Sequence, residues 1–422
     1  MPAPDTTSLR FAQALSAYEH PGFAAEQVVG QIIDQIGPAP DLVTLFISGP
    51  LTDTAAKIAA TVRQQTEAKH LIAATATGVL GGVLEFERRA GLAALAASLP
   101  GVTVTPLSNQ DFVNILDAKH DAPHALAQKT KDPAAIFVLA DPFSVPLNGA
   151  VPALGRALAA NTKNDTKPVL FGGVASAADK AGGNTIVLDD HADNKGMVGV
   201  ALSGPIRCDM TVSQGCRPIG QNLVVTRARG NLIFELAGRP ALHVIRQQIG
   251  ALANDDRKLL PGGLFIGRVI DEYKQHLGRG DYLIRNVLGA DESSGGVAVA
   301  DIIPPGRTVR LHLRDAHTAV EDLALLLDAQ ALHGPPRGAI LVTCAARGER
   351  FFGKQNLDTV AIQRAFLPNE AGPEAAKSGK AIDPERMGIP LAGFFASGEI
   401  GPIGNQSFVH GYTACLGCFR SP

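Results

Sequence analysis

Six apolar residues of strand character, Leu391–Ala396, stop abruptly at Ser397, Gly398 and Glu399, and Gly401, Pro402 and Gly404 follow. A buried strand that gives way to a tight polar turn is where an α/β chain brings backbone amides to a ligand, because glycine and small side chains leave the space. The design recurs three times. Ile340–Thr343 runs into Cys344, Ala345, Ala346, Arg347 and Gly348; Val169–Phe171 runs into Gly172, Gly173, Val174, Ala175 and Ser176; Leu71–Ala74 runs into Thr75, Ala76, Thr77 and Gly78. Any one of the four reads as an ordinary strand-to-loop turn. Four in one chain, two of them followed by a charge at Arg347 and Glu399, point to a binding cleft.

A chain of 422 residues exceeds one ordinary core, so two domains are expected. Its 45 % hydrophobic and 18 % charged residues are those of a globular protein that buries its cores. Lys plus Arg at 38 against Asp plus Glu at 40, with no basic run, argue against nucleic acid as a partner. The N-terminus has no basic start followed by an apolar core, and the uncharged run Leu71–Leu84 is shorter than the ~20 residues of a membrane span. A cytoplasmic location without a membrane span is expected. Five scattered cysteines are an odd number and read as reduced thiols; Cys415 and Cys418 form a C-x-x-C with no second pair, and no metal site is expected.

Periodicity predicts helices over Leu9–Tyr18 and Ala25–Gln35, a strand over Asp41–Ser48, a helix over Thr52–Ala68 and a strand from Leu71. In Gly82–Arg88, Glu85 and Glu87 alternate with Leu84 and Phe86, the pattern of a half-exposed edge strand whose charges are solvated. A helical stretch over Gln110–Lys131, a strand at Ala134–Ala140, a helix near Pro152–Ala160 and the strand from Val169 follow. Such strand, helix, strand units favour parallel pairing. The chain then turns β-rich at Met197–Ser203, Ile206–Thr211, Leu223–Arg229 and Leu232–Leu236, with a hairpin turn at Gly230-Asn231. Gly238, Arg239 and Pro240 precede a helix over Ala241–Ala253, and the domain boundary is placed there, giving residues 1–238 and 239–422.

The second part repeats the theme. Strands are expected at Leu264–Ile270, Asp281–Leu288, Val297–Ile302 and Thr308–Leu313, then a helix opened by a capping box at Thr318 and Glu321. A strand at Ala339–Thr343, a helix near Leu357–Phe366, a flexible stretch over Pro368–Pro384 and the strand at Leu391 complete it. The expected fold is α/β, with two domains of mixed sheets, βαβ units plus antiparallel strands, and helices packed on the sheets.

Ser213-Gln214-Gly215-Cys216-Arg217-Pro218-Ile219-Gly220, then Val225-Thr226, then Asn231, Ile233, Glu235-Leu236, Gly238 and Pro240-Ala241-Leu242, resemble the hinge region of FIST-domain proteins. Gly172-Gly173-Val174-Ala175-Ser176, Thr77-Gly78-Val79 with Glu85 and Glu87, Cys344 with Arg347, Gly398-Glu399-Ile400-Gly401-Pro402, and His410 with Thr413-Ala414 extend the resemblance over roughly residues 20 to 415. The chain departs from it at Ala73-Ala74, where relatives often have Gly-Cys. The resemblance implies an N-terminal and a C-terminal FIST domain forming a small-ligand-binding sensory protein. Its ligand would be an amino acid or similar metabolite, and it would signal through a protein partner. Some members carry haem, and some serve as substrate-recognition parts of F-box proteins.

Arg347 and Glu399 are the natural grips for a zwitterion: a planar fork for a carboxylate and an acceptor for an ammonium. Ser397, Gly398, Asn405 and His410 are the candidate polar lining. The competing reading has Arg347 and Glu399 pair with each other or cap turns. An enzyme acting on a small amino-acid-like substrate is the alternative, with Cys344 as thiol and His410 as base. Cys344 follows four apolar residues, however, and reads as core filling, and neither a Ser/His/Asp order nor a phosphate-cradling or H-E-x-x-H motif is present. No catalytic residue and no cofactor is therefore expected. Haem stays a variant for which no histidine spacing selects a ligand. Arg217, between glycines and a proline, reads as structural within a rigid turn.

Overall fold

The structure is a computed structural model that describes residues 8–117, 129–130, 132–159, 168–367 and 388–422. The stretch Pro368–Pro384 and most of the second half of Gln110–Lys131 lie outside the described residues. The described chain forms two compact units. One takes the residues up to Val212 with Leu323–Val409 and Thr413–Pro422, and the other takes Ser213–Asp322 with His410–Tyr412.

The first unit is built from one motif used three times. Its first copy is β1 (Arg10–Ser16), α1 (Pro21–Ile36), β2 (Leu42–Ser48), α2 (Ala55–Thr66), β3 (His70–Ala76), β4 (Gly78–Gly81), β5 (Leu84–Glu87) and β6 (Gly91–Ser98). The second is β7 (Thr103–Leu107), α3 (Asn109–Asp117), β8 (Ala135–Ala140), α4 (Leu147–Ala159), β9 (Val169–Val174), β10 (Ile186–Leu188), β11 (His191–Asp193) and β12 (Met197–Ser203). The third begins with β13 (Arg207–Gln214). It is interrupted by β14 (Cys216–Arg229), β15 (Leu232–Leu236), β16 (Arg239–Pro240), α5 (Ala241–Gly250), β17 (Leu264–Val269), β18 (Tyr282–Asp291), β19 (Gly296–Val299) and β20 (Thr308–Arg314). It resumes with α6 (Ala316–Ala331), β21 (Gly338–Cys344), α7 (Leu357–Ala365), β22 (Leu391–Ala396), β23 (Glu399–Ile403), β24 (Gln406–His410) and β25 (Thr413–Arg420).

Each copy centres a six-stranded sheet on one parallel pair: β2 with β3, β8 with β9, β21 with β22. The sheet orders are β1-β6-β2-β3-β10-β11, β7-β12-β8-β9-β23-β24 and β13-β25-β21-β22-β4-β5. The plan is cyclic. After the second strand of each pair the chain crosses to another sheet: β4 joins β22, β23 joins β9, and β10 joins β3, all antiparallel. Every sheet is thus completed by a strand from another copy of the motif.

The central strands β2, β8, β21 and β22 are buried along their whole length, and β3 and β9 beyond their first residue, which is why they read as continuous apolar runs rather than alternating ones. One face of each sheet enters a shared core in which Phe46, Phe137, Phe171, Phe394 and Phe419 meet. The other faces are covered separately, by α1 and α2, by α3 and α4, and by α6 and α7. Phe46 and Phe394, from different sheets, stack with ring centroids 4.7 Å apart. The α/β class with mixed sheets and helices packed on them is what the patterning indicated.

Local departures have physical causes. The segment read as a helix over Leu9–Tyr18 is the strand β1, paired with the alanine-rich β6 over its whole length; helix propensity there is overridden by sheet pairing. Asp315, and not Thr318, opens α6, since its carboxylate accepts from the His317 N–H (3.1 Å) and the Thr318 hydroxyl (2.8 Å).

The second unit is antiparallel. Its order β14-β20-β17-β18-β19-β15-β16, with β14 also paired to β15, closes six strands into a barrel whose interior holds Ile219, Val225, Ile266, Val299 and Leu311 under α5. The predicted hairpin at Gly230 is present, with φ of +59°. Arg217 is on the strand β14 rather than in a turn, where it hydrogen-bonds Asp256 and forms an ion pair with Asp315 at 3.5 Å.

The shared core makes a direct expectation. Phe394→Ala should destabilise the protein by about 3–5 kcal/mol in urea unfolding, whereas Leu325→Ala on the exposed side of α6 should change it by under roughly 0.5 kcal/mol.

Candidate functional site

The four strand ends singled out by the sequence, those of β3, β9, β21 and β22, are laced together inside the first unit. Ser176 N–H donates to Thr75 O (3.2 Å), Thr77 N–H to Ser176 Oγ (3.0 Å), and Ser176 Oγ–H to Phe395 O. Ser397 donates from its N–H to Val174 O (3.1 Å) and from its hydroxyl to Ala175 O (2.6 Å), while Ala345 N–H bonds Ala396 O (2.7 Å). Small residues permit this, and they bring the ends of strands from all three sheets to one place.

The crossing strands show what is unusual there. Val79 of β4 pairs with Phe394, Ile186 of β10 with Ala74, and Glu399 of β23 with Gly173. Val79 and Ile186 belong to the shared core. Glu399 therefore puts a carboxyl where the other two copies of the motif carry an aliphatic side chain. It is 0 % exposed. Its Oε2 accepts from Thr413 N–H (3.1 Å) and Thr413 Oγ–H (2.7 Å), and Oε1 accepts no hydrogen bond of ordinary geometry from the described residues. Burial pushes the carboxyl up to about 8, against the weaker pull of the Thr413 bonds, the Cys344 thiol and the Arg347 charge.

Arg347 follows β21 in a turn closed by its N–H on Cys344 O (2.7 Å) and is also buried. Its partner is Asp358 in the first turn of α7, bound through Nε to Oδ2 (2.7 Å) and Nη2 to Oδ1 (3.1 Å), with Thr343 Oγ–H adding a third bond to Oδ2 (3.3 Å). The fork geometry is that of a strong pair. Neither of the sequence alternatives for Arg347 included Asp358. An aspartate at a helix start looks like an ordinary dipole match, so only the topology identifies it.

Glu85 corrects the sequence reading more sharply. The strand β5 is at a sheet edge, but Glu85 is buried and Leu84 is the exposed residue. The N-terminus of α7 covers the charged side: Thr359 gives Glu85 Oε1 its N–H (3.0 Å) and hydroxyl (3.1 Å), and Asn356 Oδ1 accepts from the Glu85 N–H (2.6 Å). Burial, helped by the Asp358 charge, raises Glu85 to about 8. Glu87 accepts from the Glu349 N–H (2.7 Å).

Of the predicted lining, Arg347, Ser397, Gly398 and Glu399 are at these strand ends, with Ser397 the exposed one. Asn405 is exposed in the turn beyond the far end of β23, roughly 13 Å of strand from Glu399. His410 is buried and belongs to the other compact unit. All five cysteines are buried free thiols, and burial raises Cys208, Cys415 and Cys418, the last to about 12, leaving them protonated and weakly nucleophilic.

An α/β protein with a buried, polarised set of strand ends is the class that this fold and site define. The FIST N domain matches residues 41–239 and the FIST C domain residues 241–402, so the chain belongs to the FIST family. FIST domains are associated with small-ligand-binding sensory roles. The chain is 35 % identical over 398 residues to an uncharacterized protein of Mycobacterium tuberculosis, and 35 % identical over 402 residues to one of Mycobacterium bovis. Each match spans 94 % of this chain and 95 % of the relative. Among the described residues no helix is long and apolar enough to cross a membrane.

Two expectations follow from the electrostatics. Glu399 and Glu85 each bind a proton in the folded protein that the unfolded chain loses above the ordinary value of 4.5, so stability should fall as pH rises from there to about 8. Glu399→Gln, which keeps an acceptor for Thr413, should flatten that slope and melt above the parent at pH 8 in a thermal-melt series. Asp358→Asn should cost about 3–5 kcal/mol by leaving the buried guanidinium without its countercharge. Arg347→Met combined with Asp358→Leu should recover most of it in chemical unfolding.

Proposed function

We propose that the protein is a small-ligand-binding sensory protein that takes an amino acid or similar metabolite and signals through a protein partner in the cytoplasm. The reading locates the ligand at the strand ends, with Ser397 as the exposed lip and Gly398, Glu399 and Arg347 buried behind it. The observation that carries it is the Glu399 carboxyl at a core position that the sister strands fill with Val79 and Ile186. A buried ionisable group is costly to a fold, and such groups concentrate at functional sites. The family's association with ligand binding supports the same reading.

Glu399 accepts the ligand's ammonium in this scheme, ionising as it does so, and the serine and backbone groups orient the rest. Differential scanning fluorimetry of the full chain against amino acids and related metabolites should yield ligands that raise the melting temperature, and Glu399→Gln should weaken them by roughly 1.5–3 kcal/mol, the scale of a hydrogen bond to a charged group. Unchanged affinity in that variant would remove the site. Turnover of a bound amino acid by purified protein would favour the enzyme reading instead.

A further inference from the structure

We infer, resting on the reading of the site just given, that the ligand is recognised through a cationic amine and needs no carboxylate, so that the preferred class is small organic amines rather than zwitterionic amino acids. The argument is a balance of buried charge. Glu85, Asp358 and Glu399 are buried around the ends of β21 and β22; of the guanidiniums buried in this part of the fold, Arg347 is at the strand end with them, while Arg364 is in the last turn of α7, away from Asp358 in the first. The Arg347 guanidinium is matched already. Asp358 holds it by two bonds of 2.7 and 3.1 Å, and Thr343 steadies the same carboxylate. A ligand carboxylate arriving at Arg347 would compete with an internal carboxylate that has no route to solvent, and displacing Asp358 would leave a second buried negative charge behind.

Glu399 is in the opposite situation. One oxygen is held by both Thr413 donors, while Oε1, fully buried, accepts no hydrogen bond of ordinary geometry from the described residues, and the weak donor of the Cys344 thiol is the other group acting on the carboxyl besides the Arg347 charge. Glu85 adds a further acid whose side chain, among the described residues, accepts from the neutral donors of Thr359. Burial keeps Glu399 neutral with its Oε1 unfilled, and an ammonium placed there supplies the countercharge that its ionised form lacks. Its arrival ionises Glu399, whose proton leaves to solvent, so binding releases a proton at neutral pH.

The test compares each amino acid with its decarboxylated amine on the full-length protein: arginine with agmatine, ornithine with putrescine, and butyrate and succinate as carboxylates without an amine. Agmatine or putrescine should raise the melting temperature at least as much as the parent amino acid, and the carboxylates should not. Glu399→Gln should lower amine affinity roughly ten- to a hundredfold. Calorimetry of the unmodified protein at pH 7, in buffers of different ionisation heat, should register proton release. Binding of amino acids without their amines, or of carboxylates alone, would overturn the inference while leaving a ligand site at the strand ends. Amine binding without proton release would overturn it by placing the amine away from Glu399. Failure of every amine and amino acid to bind would overturn both this inference and the proposed function.

Discussion

The fold depends on one core that three sheets share. No copy of the motif closes its own sheet, because the strand after each parallel pair crosses to a neighbour, as β4 does to β22, β23 to β9 and β10 to β3. Apolar burial is non-directional, so a common core alone would not fix the three sheets against one another. The exchanged backbone ladders do, and they bring the carboxyl ends of the parallel strands together. The interlacing of Thr77, Ser176, Phe395 and Ser397 is the local result.

Threefold repetition also makes the chemistry readable. Equivalent positions in the three copies act as internal controls, with Val79 and Ile186 recording what the fold alone asks for where Glu399 stands. The polar set, Arg347 with Asp358, Glu85 with Thr359 and Glu399 with Thr413, gathers around the sheet of the third copy. Packing needs none of these charges. Their enclosure in the low-dielectric interior ties the protonation of the two glutamates to the stability of the unit.

Much of this was legible before any coordinates. The parallel strands announced themselves as unbroken apolar runs ending in small residues, and Glu399 and Arg347 stood out as charges a few residues past such runs. The remainder was illegible for physical reasons. β1 is short and rich in alanine, and only its pairing with β6 makes it a strand. Glu85 alternates with apolar residues as a solvated edge would, yet the N-terminus of α7 from far along the chain covers it. Asp358 is an unremarkable acid in a first helical turn until the topology brings it against Arg347. The closure of β14 on β15 into a barrel depends on a pairing that no local pattern encodes.

The cyclic exchange of strands bears on how the chain reaches its fold during translation. Gly81 pairs with Ala392, so β4 leaves the ribosome about 300 residues ahead of its partner strand. Until then the side of β4 that faces β22, and the part of the shared core that the third sheet supplies, have no native partner, in a topology dominated by distant contacts, where folding is slow and half-made sheets are prone to associate. Completion of the shared core is deferred until β22 has been made. The last strands to pair therefore join segments far apart in the sequence, and the entropy of closing those loops is met only when the core they complete is formed.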